Sequence, residues 1–387
     1  MQPFTLLIKP SGSDCNADCR YCFYKGRAPQ FGQGRQRMSG DILESLIRDY
    51  MSLGFPLVGF AWQGGEPGLM GLDFYRKVVE LQNRYGSAGQ QVGNKLQTNG
   101  MLLDDEWCRF LVEHKFLAGI SVDGPKEFHD CYRVDHSGAG TFDRVMSGVE
   151  NCKRCGVEFN TLVLLNNRNV GHPDELFDFF VQNDMTYLQF IPCVELDATT
   201  GGIADFSITP EQYGGFLCRT FDRWCDYDPQ RLNIREFDSI LTYHVMGKHT
   251  ICAYQQQCAG SLVVEHTGDA FCCEFFMEPR WRLGNILETP IERLTASDLR
   301  RVFARGKQDL CSRCLVCSCL DLCRGGCVKD RARVGDPSSS ESYLCEGYKH
   351  FFEYAMPRLT QMAADIKAGS MGRHTRAPEK IRWQIRK

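Results

Sequence analysis

Twenty-one cysteines in a chain of 387 residues constrain this protein more than any other feature. The N-terminus gives no sign of export: Phe4-Thr5-Leu6-Leu7-Ile8 is cut short by Lys9 and Pro10, too brief for a signal-peptide core. A cytoplasmic setting is therefore expected. In a reducing compartment so many thiols are seldom disulfides, so metal ligation is the leading reading. Their distribution is uneven, with eleven of the 21 falling between about residue 250 and 345. That stretch is rich in glycine and poor in long apolar runs, which predicts a small module organised around metal.

The remainder of the chain reads as ordinary globular sequence. Hydrophobic residues make up 43% and charged residues 24%, so disorder is not the default. Net charge is -3, from 45 basic and 48 acidic residues, which leaves no electrostatic footprint for nucleic acid. No segment approaches the roughly 18 apolar residues of a membrane span.

From about residue 1 to 230 apolar runs alternate with amphipathic stretches. Leu6–Ile8, Leu57–Ala61, Gly119–Val122, Thr161–Leu165 and Leu188–Ile191 read as buried strands, and Ile42–Leu53, Leu72–Tyr85, Asp105–Glu113 and Asp174–Gln182 as helices. Such alternation predicts an α/β fold with a parallel sheet and helices outside it. An open or partial barrel is preferred to a doubly wound sheet, although periodicity alone does not separate them. Gly64-Gly65-Glu66-Pro67, Gln97-Thr98-Asn99-Gly100 and Asp123-Gly124-Pro125 follow strands, where parallel folds place their sites. Glycine admits close backbone approach and a loop carboxylate can pair with an ammonium; each loop taken alone is also plain turn chemistry.

The sharpest motif is Cys15-Asn-Ala-Asp-Cys19-Arg-Tyr-Cys22, after the first strand. Three thiolates hold three irons of a [4Fe–4S] cubane and leave the fourth open. An open iron can chelate the amino and carboxylate groups of S-adenosylmethionine (SAM). A structural zinc site wants four ligands, and no His or fourth Cys stands beside the triplet. A second set comprises Cys252, Cys258, Cys273, Cys314, Cys317, Cys323, Cys327 and Cys345. Eight thiolates suit two further cubanes and, by count alone, two zinc ions equally well. Cys272, Cys311 and Cys319 exceed that count. Cys108, Cys131, Cys152, Cys155, Cys193, Cys218 and Cys225 read as structural, because buried cysteine serves as a small hydrophobe. Cys152-Lys-Arg-Cys155 matches a redox motif formally but falls late in a helical pattern.

Together the triplet, the Gly64-Gly65-Glu66-Pro67 loop and the eight late cysteines resemble radical SAM enzymes with a SPASM domain. More narrowly the chain resembles the anaerobic sulfatase-maturating enzymes, through Leu6–Pro10, Cys22-Phe23-Tyr24, Trp62–Pro67, Leu96–Gly100 and Trp281–Ile286. The likeness runs from about residue 4 to 365. It implies a partial (β/α)6 barrel at residues 1–235, a SPASM domain at 236–350, a C-terminal helix at 351–366 and a basic tail at 367–387 expected to lack order. It implies three [4Fe–4S] clusters and SAM as cofactors. Cys15, Cys19 and Cys22 would hold the SAM cluster; Cys252, Cys258, Cys273 and Cys327 the first auxiliary cluster; and Cys314, Cys317, Cys323 and Cys345 the second. Tyr21, Gly65, Glu66, Ser121, Arg133 and Val194 would line the SAM site, where Arg133 suits a carboxylate and Ser121 can donate a hydrogen bond.

The reaction implied is oxidation of a cysteine or serine in an unfolded sulfatase, within Cys/Ser-x-Pro-x-Arg, to Cα-formylglycine by way of a 5′-deoxyadenosyl radical. A low-potential donor such as flavodoxin or ferredoxin would supply the electron. The family carries an Asp after the third auxiliary cysteine as proton acceptor, and this chain has Glu274, which reaches about 1.5 Å farther. Glu274 is the expected catalytic base; a surface glutamate or a structural partner of a nearby Arg is the bland reading. Thioether cross-linking of a peptide is the rival within the SPASM enzymes, disfavoured by the expectation that no leader-binding domain precedes the first strand. A zinc-stapled binding module is the rival from outside enzymes.

Overall fold

The computed structural model describes residues 3–25, 34–197, 199–229, 231–258, 260–331 and 341–369. Strands and helices alternate as β1 (Thr5–Lys9), α1 (Gly40–Met51), β2 (Leu57–Trp62), α2 (Leu72–Tyr85), β3 (Gln91–Thr98), α3 (Asp105–Glu113), β4 (Phe116–Ser121), α4 (Lys126–Tyr132), α5 (Phe142–Cys155), β5 (Phe159–Leu165), α6 (Pro173–Gln182), β6 (Tyr187–Pro192) and α7 (Pro210–Tyr227). Six β/α repeats are thus in place, as expected. β7 (Asn233–Ile234) and α8 (Arg235–Met246) follow, then β8 (Ser261–Glu265), β9 (Asp269–Phe271) and β10 (Arg282–Asn285). The remaining helices are α9 (Ile291–Thr295), α10 (Asp298–Gly306), α11 (Ser312–Leu315), α12 (Leu320–Cys323), α13 (Val328–Arg331) and α14 (Cys345–Lys367). The expected tail lies outside the described residues from 370 onward.

Two compact units interleave along the chain. The first comprises Met1–Ser121, Asp130–Phe159 and Cys258–Arg305. Its strands run in the order β10-β9-β8-β1-β2-β3-β4, parallel from β8 to β4, with β9 antiparallel to β8 and to β10. β1 is apolar because both of its edges and both faces are occupied: Leu6, Leu7 and Ile8 are buried, with β2 on one side and β8 on the other. The cysteine-rich stretch therefore contributes a strand to this sheet. A bare β1 edge would leave a row of unpaired peptide groups. β3, absent from the strands read off the sequence, has a polar inner face. Asn94 accepts from Trp62 Nε1 and Gln82 Nε2, both at 3.0 Å, and donates to Gln82 Oε1 at 2.9 Å.

The second unit comprises Val122–His129, Asn160–Gln257 and Gly306–Lys387. Here β5, β6 and β7 pair in parallel, and α14 packs on α7 and α8. Close helix contact depends on glycine: a Cβ on Gly347 would sit 2.3 Å from the carbonyl of Pro210. Phe351, Phe352, Ala355 and Leu359 follow it along the buried face of α14. This helix begins at Cys345, six residues before the expected start at residue 351.

Glu236, in the first turn of α8, is 5% exposed and accepts from Phe190 N at 3.2 Å. Burial pushes its carboxyl up to about 7, against the ordinary 4.5. A raised folded-state value means that the folded protein holds this proton more tightly. The stability contributed is complete below about pH 4.5 and is lost as pH rises through about 7. Glu236→Gln retains an acceptor and removes the titration. It should raise stability at pH 8 by on the order of 3 kcal/mol, and by less at pH 5.5, read by anaerobic thermal melts.

Candidate active site

The Cys15–Cys22 loop leaves the C-terminal end of β1 and is fastened by backbone rather than by its own sulfurs. Asp18 N donates to Val134 O at 2.7 Å and Arg20 N to Tyr132 O at 2.9 Å. Glu66 N donates to Asp14 O at 2.7 Å and Gly65 N to Gly12 O at 2.8 Å. Gly65 is required by this contact, since a Cβ there would lie 1.9 Å from the Asp14 carbonyl. All three thiols are half-buried. Cys15 Sγ receives Ala17 N at 3.4 Å and Asn99 Nδ2 at 3.7 Å, donors suited to a sulfur carrying negative charge. Burial, together with the Glu66 carboxylate, pushes the Cys15 thiol up to about 12, and burial also raises Cys22. Such thiols lose their protons when metal replaces them. Three sulfurs on one pinned loop, with backbone and amide donors aimed at one of them, fit a site-open cubane.

Glu66 is wholly buried. Its Oε1 accepts from Gly68 N and Thr98 Oγ1 at 2.8 and 2.9 Å, and its Oε2 from Asn99 N at 2.7 Å. Burial pushes its carboxyl up to about 7, opposed by these three donors. A carboxylate offers about four acceptor positions, so one remains. Glu66 thus couples the glycine loop to the end of β3 and orients Asn99, whose Nδ2 also donates to Asn16 Oδ1 at 2.7 Å. Asn99 and His136, whose ring contacts Cys15 O at 2.9 Å, support the loop in ways no spacing signalled.

Tyr21 is buried, with Tyr132 at a ring separation of 5.8 Å and the Arg133 guanidinium 5.5 Å from its centroid. Arg133 also lies near enough to Cys22 to oppose the rise in its thiol. Ser121 ends β4 with a half-buried side chain in the first unit. Val194, wholly buried after β6, belongs to the second.

Cys314, Cys317, Cys323 and Cys345 come together in the second unit. They line a cavity of about 290 Å³ with Cys319, Tyr348 and Phe352. Burial pushes the Cys314 and Cys345 thiols up to about 12. Among the described residues no three His, Cys, Asp or Glu side chains converge tightly enough to share one ion. A cubane spreads its four thiolates over a core larger than a tetrahedral zinc, and the four cysteines on this cavity match a cubane in number. Cys319 is a fifth thiol on its wall, and Cys311 Sγ lies 3.5 Å from Cys314 Sγ.

Of the other four auxiliary cysteines, Cys252 and Cys327 belong to the second unit, Cys258 and Cys273 to the first. Burial pushes the Cys327 thiol up to about 12, with Asp330 and Cys252 adding to the rise. Cys272 is buried while Cys273, next to it beyond the end of β9, is half-buried. Cys108 and Cys152 are buried with sulfurs 3.9 Å apart, and Cys152 and Cys155 fall in the last turn of α5. Glu274 keeps a quarter of its side chain exposed, and its Oε2 stands 3.6 Å from Lys9 Nζ. The cation beside it is a lysine and not the arginine of the bland reading. A lysine closing an apolar strand was the signal in the sequence that sequence reasoning passed over.

Comparison with known proteins accords with this arrangement. Residues 10–180 match the radical SAM superfamily and residues 252–318 the SPASM iron–sulfur cluster-binding domain. Fold and thiol sets together define a radical SAM enzyme with a SPASM domain, a class that works with [4Fe–4S] clusters and SAM. The serine-type anaerobic sulfatase-maturating enzyme of Bacteroides thetaiotaomicron is 36% identical over 94% of this chain and 92% of its own. The cysteine-type enzyme of Clostridium perfringens is 36% identical over 95% of this chain and 100% of its own. The crystal structure of native anSMEcpe with bound AdoMet and Cp18Cys peptide matches with a TM-score of 0.87, at 36% identity over 94% of this chain and 100% of that one. This chain belongs to the anaerobic sulfatase-maturating enzymes. Among the described residues no helix is long and apolar enough to cross a membrane.

Proposed function

We propose that this enzyme oxidises a cysteine or serine side chain in an unfolded sulfatase segment, Cys/Ser-x-Pro-x-Arg, to Cα-formylglycine. The observation that carries the reading is the full-length match to a relative solved with AdoMet and a peptide. The residues fit it. Cys15, Cys19 and Cys22 would hold the SAM cluster. Cys252, Cys258, Cys273 and Cys327 would hold the first auxiliary cluster, and Cys314, Cys317, Cys323 and Cys345 the second. Residues 1–235 would form the radical SAM part, 236–350 the auxiliary-cluster part and 351–366 a closing helix. Flavodoxin or ferredoxin would deliver the electron.

When bound, SAM and the clusters supply a 5′-deoxyadenosyl radical for one substrate Cβ hydrogen atom and a route out for one electron. The chain's own residues supply binding and proton transfer. Arg133 would pair with the SAM carboxylate, Ser121 would donate a hydrogen bond, and Tyr21, Gly65 and Val194 would shape the pocket. The remaining acceptor position of Glu66 would take the SAM ammonium. Glu274 would accept the thiol or hydroxyl proton. Serine then becomes the aldehyde directly; cysteine becomes a thioaldehyde that water hydrolyses with loss of hydrogen sulfide.

The test is anaerobic incubation with dithionite, SAM and a peptide carrying Cys-x-Pro-x-Arg, or its serine counterpart, read by mass spectrometry. Formylglycine is expected, with one 5′-deoxyadenosine per event, and none when the target is alanine, which has no acidic side-chain proton. Unmodified Cys and Ser peptides alongside active SAM cleavage would sink the maturation reading and turn attention to peptide cross-linking.

A further inference from the structure

Glutamate has one more rotatable bond than the aspartate usual after the third auxiliary cysteine. An unrestrained carboxylate at position 274 would therefore spread over several rotamers and misplace the base. The structure supplies a restraint. Lys9, the last residue of β1, is wholly buried, yet its Nζ stands 3.6 Å from Glu274 Oε2. The same ammonium lies 4.4 Å from the Tyr24 ring centroid and 5.8 Å from that of Phe23, and Tyr24 belongs to an apolar cluster with Leu7, Val263, Phe271 and Met277. On the neighbouring strand its register partner is Glu265, also wholly buried. Register partners on adjacent strands share a sheet face, and the Glu265 carboxylate there is met by His266 Nδ1 at 3.5 Å. Burying an ammonium is costly even when it is paired, and a leucine or methionine would serve the sheet better. A lysine here needs a reason beyond packing.

We propose that Lys9 is a positioning residue: it holds the Glu274 carboxylate in its reactive rotamer. This rests on the reading of Glu274 as the base. Two variants test it, Lys9→Met, similar in volume and apolar, and Lys9→Met/Glu265→Gln, which also removes the buried carboxylate on the same sheet face. In the anaerobically reconstituted full chain both should keep wild-type iron content and wild-type 5′-deoxyadenosine formation. Formylglycine should fall by at least about tenfold with little change in peptide KM, so nucleoside released per product rises by the same factor. In a Glu274→Gln background, Lys9→Met should add no further loss, because no carboxylate remains to be held. Equal losses in both backgrounds, an unchanged nucleoside-to-product ratio, or loss of iron from both variants would overturn the proposal. If Glu274→Gln is itself impaired while Lys9→Met is not, only the role of Lys9 falls. If Glu274→Gln turns over normally, the base and its positioning residue fall together.

Discussion

Replacing Cys15, Cys19 and Cys22 together by alanine is expected to lower iron from about 12 to about 8 per chain after anaerobic reconstitution and to abolish SAM cleavage. The auxiliary clusters should remain, giving a protein that is still brown but inert. The loop should survive the change, because its shape rests on backbone bonds from Asp18 to Val134, Arg20 to Tyr132 and Glu66 to Asp14. The expected loss is thus one cluster and not the fold. Iron analysis and 5′-deoxyadenosine assay read the outcome. Stoichiometric zinc with negligible iron in the anaerobically purified wild type would contradict the cluster reading at every site.

Glu274→Gln should lower formylglycine formation at least about 10²-fold, with iron content and SAM binding near wild type. The amide keeps size and polarity but cannot take a proton, so the loss isolates proton transfer from packing. Glu274→Asp should retain much of the activity, although the shorter side chain stands farther from Lys9, 3.6 Å away in the wild type. A Glu274→Gln enzyme that turns over peptide at the wild-type rate would make Glu274 a bystander.

Much of the repeat region was legible because five of its first six strands, and helices such as α1, α2, α3 and α6, carry their periodicity openly. Leu72–Tyr85 and Asp105–Glu113 were read to the residue, each with one apolar face. β3 was not among the strands read, because its inner face bears Asn94 in a polar cluster with Gln82 and Trp62. α14 was read six residues short at its start, since Cys345 looked like a loop ligand and not a helix start.

The sequence by itself determined the α/β alternation, the Cys15–Cys19–Cys22 triplet and the family, because these lie in local periodicity, in thiol spacing and in motifs that persist at 36% identity. Tertiary structure alone decided that residues 261–265 return as a strand beside β1, since strand pairing depends on which edge is left open. It alone decided that Glu66 is consumed largely by Gly68, Thr98 and Asn99. It also set Lys9 beside Glu274, 265 positions away along the chain, which no spacing rule could foresee. A motif records which chemical groups are present. Which group faces which is fixed by register and packing, and those are settled only when distant strands meet.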